Sequence, residues 1–147
     1  ILDEDIKDLS REIALTDGGY INYQNGNVGN DSLVTAYTND YIDCKGADYI
    51  IQSMNTGNTA NSVGIAFYDE NRTYISGENI PVVSGGYVKE IRKIRVPDNA
   101  CYFRTSYYDL SHRIQLGEFT CLIVRNKYPD KNVYKKECPI VNNKGVQ

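Results

Sequence analysis

Catalysis or ligation would have to come from a small stock of side chains. The chain holds one histidine, His112, four cysteines and nineteen carboxylates. A nucleophilic triad needs a base beside the nucleophile and a third group that orients the base. His112 stands in Tyr107-Tyr108-Asp109-Leu110-Ser111-His112-Arg113, with no G-x-S-x-G elbow ahead of it. A lone loop histidine reads as a surface residue rather than a base. Cys44, Cys101, Cys121 and Cys138 contain no C-x-x-C, and one histidine does not complete a zinc site. Cys44 and Cys121 lie in apolar or alternating runs, where a thiol acts as a small core hydrophobe, so free thiols are expected. A glycosidase needs two carboxylates held roughly 5–9.5 Å apart. Asp69 and Glu70 fall in a hairpin turn, which accounts for them, and neither Asp109 nor Glu118 has an evident partner. Asn30-Asp31 and Asp98-Asn99 offer oxygen ligands to calcium, but neither approaches a D-x-[DN]-x-[DN]-G loop. No cofactor and no enzyme activity are expected.

Binding chemistry fares better. The chain has thirteen Tyr against three Phe and no Trp. A sugar ring presents an apolar C–H face and a rim of hydroxyls, and tyrosine can stack on the one and bond the other. Asn, Asp or Arg beside it would fix orientation. The densest such group is Tyr107, Tyr108, Asp109 and His112, at the end of a strand and near a rim. Arg104 shares that run with Tyr108 at even spacing, which predicts one common face. Tyr68 and Tyr74 flank the hairpin turn and make a second platform. The plainer reading of any one of these tyrosines is packing on a sheet face.

The elements that must position these residues read as β from residue 16 onward. Strands are predicted at Tyr20–Tyr23, Leu33–Tyr37, Asp40–Cys44, Tyr49–Met54, Val63–Tyr68, Thr73–Ser76, Tyr87–Val96, Cys101–Tyr108 and Glu118–Arg125. The fifteen Asn and twelve Gly gather in the turns between them, such as Gln24-Asn25-Gly26-Asn27. No helix long enough for a βαβ crossover interrupts the strands, so a parallel sheet is disfavoured. The expected fold is all-β: a single antiparallel sandwich of jelly-roll type over residues 16–126. Residues 1–15 stand apart. Leu2, Ile6, Leu9 and Ile13 follow a four-three-four spacing, which predicts a short helix, either a stalk end or a helix packed on the domain. Residues 127–147 are polar and read as a tail or linker. The opening Ile1-Leu2-Asp3-Glu4-Asp5 lacks Met and a basic n-region, which reads as a piece cut from a longer polypeptide.

Net charge is −3 with sixteen basic and nineteen acidic residues, so nucleic acid is not an expected partner. The one basic stretch, Lys89–Arg95, alternates with apolar residues and reads as a solvated strand face. The apolar runs are far too short for membrane insertion.

Several segments together resemble a known family. They are Gly19-Tyr20-Ile21, Thr38-Asn39-Asp40-Tyr41-Ile42-Asp43, Gly64-Ile65-Ala66-Phe67-Tyr68-Asp69 with Tyr74-Ile75-Ser76-Gly77, and Val96-Pro97-Asp98-Asn99-Ala100 followed by Tyr102-Phe103-Arg104-Thr105-Ser106. Over residues 18 to 108 the chain resembles the β-sandwich accessory and receptor-binding-type domains of gut bacterial and phage tail-fibre-like proteins. Such domains also sit beside carbohydrate-active enzymes, SGNH-type esterases among them. Residues 109–147 depart from the pattern. The resemblance implies a jelly-roll-like sandwich, a glycan partner and an attachment role at a cell surface, virion or other extracellular site, without catalytic residues. Beside it, the N-terminal heptads would mean a homotrimer through an upstream stalk. The alternative is a structural, oligomerising spacer of a fibre with no ligand of its own.

Overall fold

The structure is a computed structural model that describes residues 4–10, 12–30, 35–57, 61–85, 88–108 and 121–126. Every regular element among the described residues is a strand, and every strand pairing is antiparallel. The first strands are β1 (Glu4–Asp8), β2 (Leu15–Asp17), β3 (Gly19–Ile21), β4 (Val28–Asn30) and β5 (Thr35–Thr38). Then come β6 (Ile42–Asp43), β7 (Ala47–Asn55), β8 (Gly64–Tyr68) and β9 (Tyr74–Asn79). The last are β10 (Lys89–Arg95), β11 (Tyr102–Arg104), β12 (Ser106–Tyr108) and β13 (Cys121–Asn126).

They form two four-stranded sheets, β1-β13-β7-β10 and β6-β11-β8-β9, a three-stranded sheet β12-β5-β2 and the pair β3-β4. One apolar cluster joins the two larger sheets. Ile50 of β7, Ile94 of β10, and Cys121 and Ile123 of β13 pack with Ile65 and Phe67 of β8 and Phe103 of β11. These residues follow the period of two, so alternate side chains enter that core. Each fully buried aliphatic or aromatic side chain there contributes roughly 1.5–3 kcal/mol.

The expected N-terminal helix is not what forms. Glu4–Asp8 pairs with β13, Ile6 opposite Val124, and the backbone then turns with Ile13 N–H donating to the Leu9 carbonyl at 3.2 Å. Two heptads make a marginal helix in water, whereas the β13 edge offers a full ladder of partners. Ile6 is half exposed at 50% and Leu9 is buried, so the spacing that suggested one apolar stripe serves a strand and a turn. Residues 4–8 therefore belong to a sheet of the main body rather than to a separate helical segment. Leu2 and residues 127–147 lie outside the described residues.

The basic run became β10, at the end of its sheet. Lys93 lies over the Tyr49 ring at 4.1 Å, and Arg92 pairs with Glu78 at 3.0 Å. A charged edge of this kind discourages pairing with another chain.

Candidate functional site

The predicted strand Cys101–Tyr108 is interrupted at Thr105. Its first half, β11, lies between β6 and β8, and its second half, β12, pairs with β5. A strand that leaves one sheet for another strands backbone groups in the interior, and these need partners. Buried polar side chains supply them. Thr105 N–H donates to Thr38 Oγ1 at 3.2 Å, and Thr105 Oγ1 donates to Gln52 Oε1 at 2.8 Å. Gln52 Nε2 donates to the Ser106 carbonyl at 3.1 Å. Ser106 Oγ accepts from Ile21 N–H at 2.8 Å and donates to the Gly64 carbonyl at 2.7 Å.

The break separates two residues that the sequence placed on one face. Beyond it, Tyr108 packs with Val63 and Ile80, and its hydroxyl accepts from Asn61 Nδ2 at 2.5 Å. Tyr107 is 2% exposed, with its hydroxyl against the Cys121 thiol. Burial holds the Tyr107 phenol well above the ordinary tyrosine range, and Cys121 adds to this. Burial also pushes the Cys121 thiol up to about 12. Arg104, before the break, goes to a different group of side chains. His112 and Asp109 lie outside the described residues.

On β8 and β11, alternation sorts the residues cleanly. Ile65, Phe67 and Phe103 face the core, while Ala66, Tyr68, Tyr102 and Arg104 occupy the other face. Register aligns Tyr102 with Tyr68, and Tyr68 with Tyr74 on β9. The turn at residues 22–27 covers part of this row. Tyr68 Oη donates to the Gly26 carbonyl at 2.6 Å and Tyr74 Oη to the Tyr23 carbonyl at 2.6 Å. Gly26 is required there: its φ is +77°, and a Cβ would come within 2.7 Å of the Tyr74 ring. Tyr68 is thus buried, and burial raises its phenol above the ordinary range, partly offset by Arg104. The hydroxyls of both hairpin tyrosines anchor the turn.

Tyr41 completes the group. It meets Tyr68 edge-on at 4.8 Å between ring centroids and Tyr102 at 6.3 Å. Two guanidinium groups lie over its ring, Arg72 at 4.7 Å and Arg104 at 4.9 Å. Arg72 also lies 5.2 Å from the Tyr102 centroid, and Arg104 5.6 Å from that of Tyr37. Tyr37, Tyr41 and Tyr102 are half-buried and Arg72 is exposed. Arg104 is only 8% exposed, and its Nη2 donates to the carbonyls of Thr38 and Asn39, each at 3.0 Å. Each cation–π contact contributes roughly 0.5–1 kcal/mol when exposed and about 2 when desolvated.

Arg72 sits in the turn Asp69-Glu70-Asn71-Arg72 with φ +63°, in the left-handed region. Asp69 Oδ1 accepts from Asn71 N–H at 2.8 Å and Thr73 N–H at 3.0 Å, the turn chemistry expected for it.

A cleft of about 280 Å³ opens elsewhere, floored by Leu9, Ile13, Ile42 and Ile123. Its rim mixes Lys7 and Arg125 with Glu12, Asp40 and Asp43. Thr38, Asp40 and Ile42 point into this cleft, while Tyr37 and Tyr41 turn to the arginines, so one segment serves two surfaces by alternation. Cys44, Cys101 and Cys121 are free thiols, and burial raises Cys44 to about 12; Cys138 lies outside the described residues. Among the described residues no three His, Cys, Asp or Glu side chains gather as a metal site.

Of the six residues singled out from sequence, Tyr68, Tyr74 and Arg104 belong to one group, while Tyr107 and Tyr108 lie in the interior beyond the strand break. Sequence reasoning missed Tyr37, Tyr41, Tyr102 and Arg72. One sequence signal could have found Tyr102, its even spacing with Arg104 on one strand; the left-handed backbone of Arg72 shows only in the structure. What the geometry defines is an all-β module carrying a tyrosine–arginine face. The chain matches no protein-family model and no curated protein.

Proposed function

We propose that the protein is a non-catalytic glycan-binding module of jelly-roll-like sandwich architecture, acting in attachment at a cell surface, virion or other extracellular site. The observation that carries this reading is the face around Tyr41. The half-buried tyrosine rings offer apolar edges to the C–H faces of a sugar, and the guanidinium N–H groups over them suit its hydroxyls. The cleft near Lys7 has an aliphatic floor and no aromatic ring among its described lining residues, so these offer a sugar no aromatic surface. The core shared by the two four-stranded sheets supports the sandwich, since inner faces of both contribute to it. The likeness of residues 18 to 108 to accessory and receptor-binding-type domains points the same way.

A glycan array probed with the chain, followed by titration of any hit against Tyr41→Ala, tests the reading. Removing the ring over which Arg72 and Arg104 lie is expected to weaken binding about tenfold, the equivalent of about 1.4 kcal/mol. If nothing on the array binds at a sensitivity that reaches millimolar affinity, the spacer reading takes its place.

A further inference from the structure

We infer that the saccharide bound at the Tyr41 face is acidic, carrying carboxylate or sulfate groups that Arg72 grips; this rests on the glycan-binding reading and narrows it. Two guanidinium groups converge on a single ring, at 4.7 and 4.9 Å. Neither has a carboxylate within ion-pair distance among the described residues. Elsewhere the chain does supply such partners: Arg92 pairs with Glu78 at 3.0 Å and Arg95 with Asp98 at 3.9 Å. Burying a cation without a counter-charge is costly, and carbonyls and ring faces offset only part of that. Arg104 is in this position, with Nε buried and lacking a hydrogen-bond partner among the described residues. An arriving anion would neutralise the pair.

Two of the acids near this face hold their own turns. Asp69 Oδ1 accepts from its own turn, and Asp43 Oδ1 accepts from Lys45 N–H at 2.9 Å. Arg72 is the group that meets the ligand, being exposed, and its planar fork matches the oxygens of a carboxylate or sulfate. Its φ of +63° is a conformation that suits glycine better, so an arginine there gives up local stability while setting a cation over two tyrosines. Because net charge is −3, polyanions gain no general attraction to the chain, and recognition has to be local.

The test is an array carrying neutral, carboxylated and sulfated oligosaccharides, probed with the unaltered chain, Arg72→Gly and Arg72→Lys. Binding is expected on acidic members, at least tenfold weaker for Arg72→Gly and less reduced for Arg72→Lys. Signal on carboxylated members alone assigns a uronate, and on sulfated members alone a sulfated sugar. Arg72→Gly fits the backbone, so loss of binding with an unchanged melting curve is a loss of contact. Equal binding to neutral members, indifferent to Arg72→Gly, overturns the acidic assignment and leaves glycan binding standing. No binding to any member overturns both.

Discussion

Tyr107 and Tyr41 show how one residue type serves two ends. Tyr107 lies 2% exposed behind the strand break, against Cys121, next in sequence to the polar network that lets β11 become β12. Tyr41 lies half-buried between strands with two guanidinium groups over its ring. Both rings contribute apolar area, but only the second has a free polar environment around it. Tyrosine number or density in the sequence is therefore a poor guide to a binding surface. What separates the two rings is exposure and the two guanidinium groups over Tyr41, neither of which has a carboxylate partner among the described residues.

The comparison can be broken from the interior outward. Tyr107→Ala removes a large buried ring, and a loss of about 3–5 kcal/mol is expected in denaturant unfolding. A loss below 1 kcal/mol would mean that the ring is not part of the core. Ser106→Ala deprives Ile21 N–H and the Gly64 carbonyl of their shared partner, for which roughly 1–3 kcal/mol is expected. Alkaline titration gives a third handle. The Cys44 and Cys121 thiols are raised from 9.0 to about 12 in the fold, so the unfolded chain releases their protons first. Their contribution is complete below pH 9 and is lost as pH rises toward 12, so stability should fall across that window. Cys121→Ala should flatten the slope; an unchanged slope would remove that thiol from the account. The smallest stability effect sits at the surface. Arg72→Gly relieves left-handed backbone strain of about 1–2 kcal/mol and gives up two exposed cation–π contacts of roughly 0.5–1 kcal/mol each, so Tm should be nearly unchanged.

Much of the strand placement was legible. Gly64–Tyr68 and Tyr74–Asn79 form the hairpin that their β-rich runs and the intervening turn predicted, and β7 and β10 lie within a residue or two of the expected bounds or extend them. The failures share a cause, which is dependence on partners distant in sequence. Glu4–Asp8 has its strand partner in Cys121–Asn126, and nothing local distinguishes that outcome from a helix. The run from Cys101 to Tyr108 has uninterrupted strand propensity; its break at Thr105 is decided by Thr38 and Gln52. The short β2 and β4 were missed because three residues carry no period. The same holds for the site. Arg104 and Tyr68 were found because they lie on strong strands, whereas Tyr41 acquires its role only when Arg72 and Arg104 arrive from other elements.

The central claim is that recognition belongs to the Tyr41 face and that the Tyr107 region is interior scaffolding. Affinity for a bound array glycan, measured side by side for Tyr41→Ala and Tyr107→Phe, tests it most directly. The account predicts about a tenfold loss for Tyr41→Ala and unchanged affinity for Tyr107→Phe. Unchanged affinity in Tyr41→Ala, with a loss in a folded Tyr107→Phe, would contradict it.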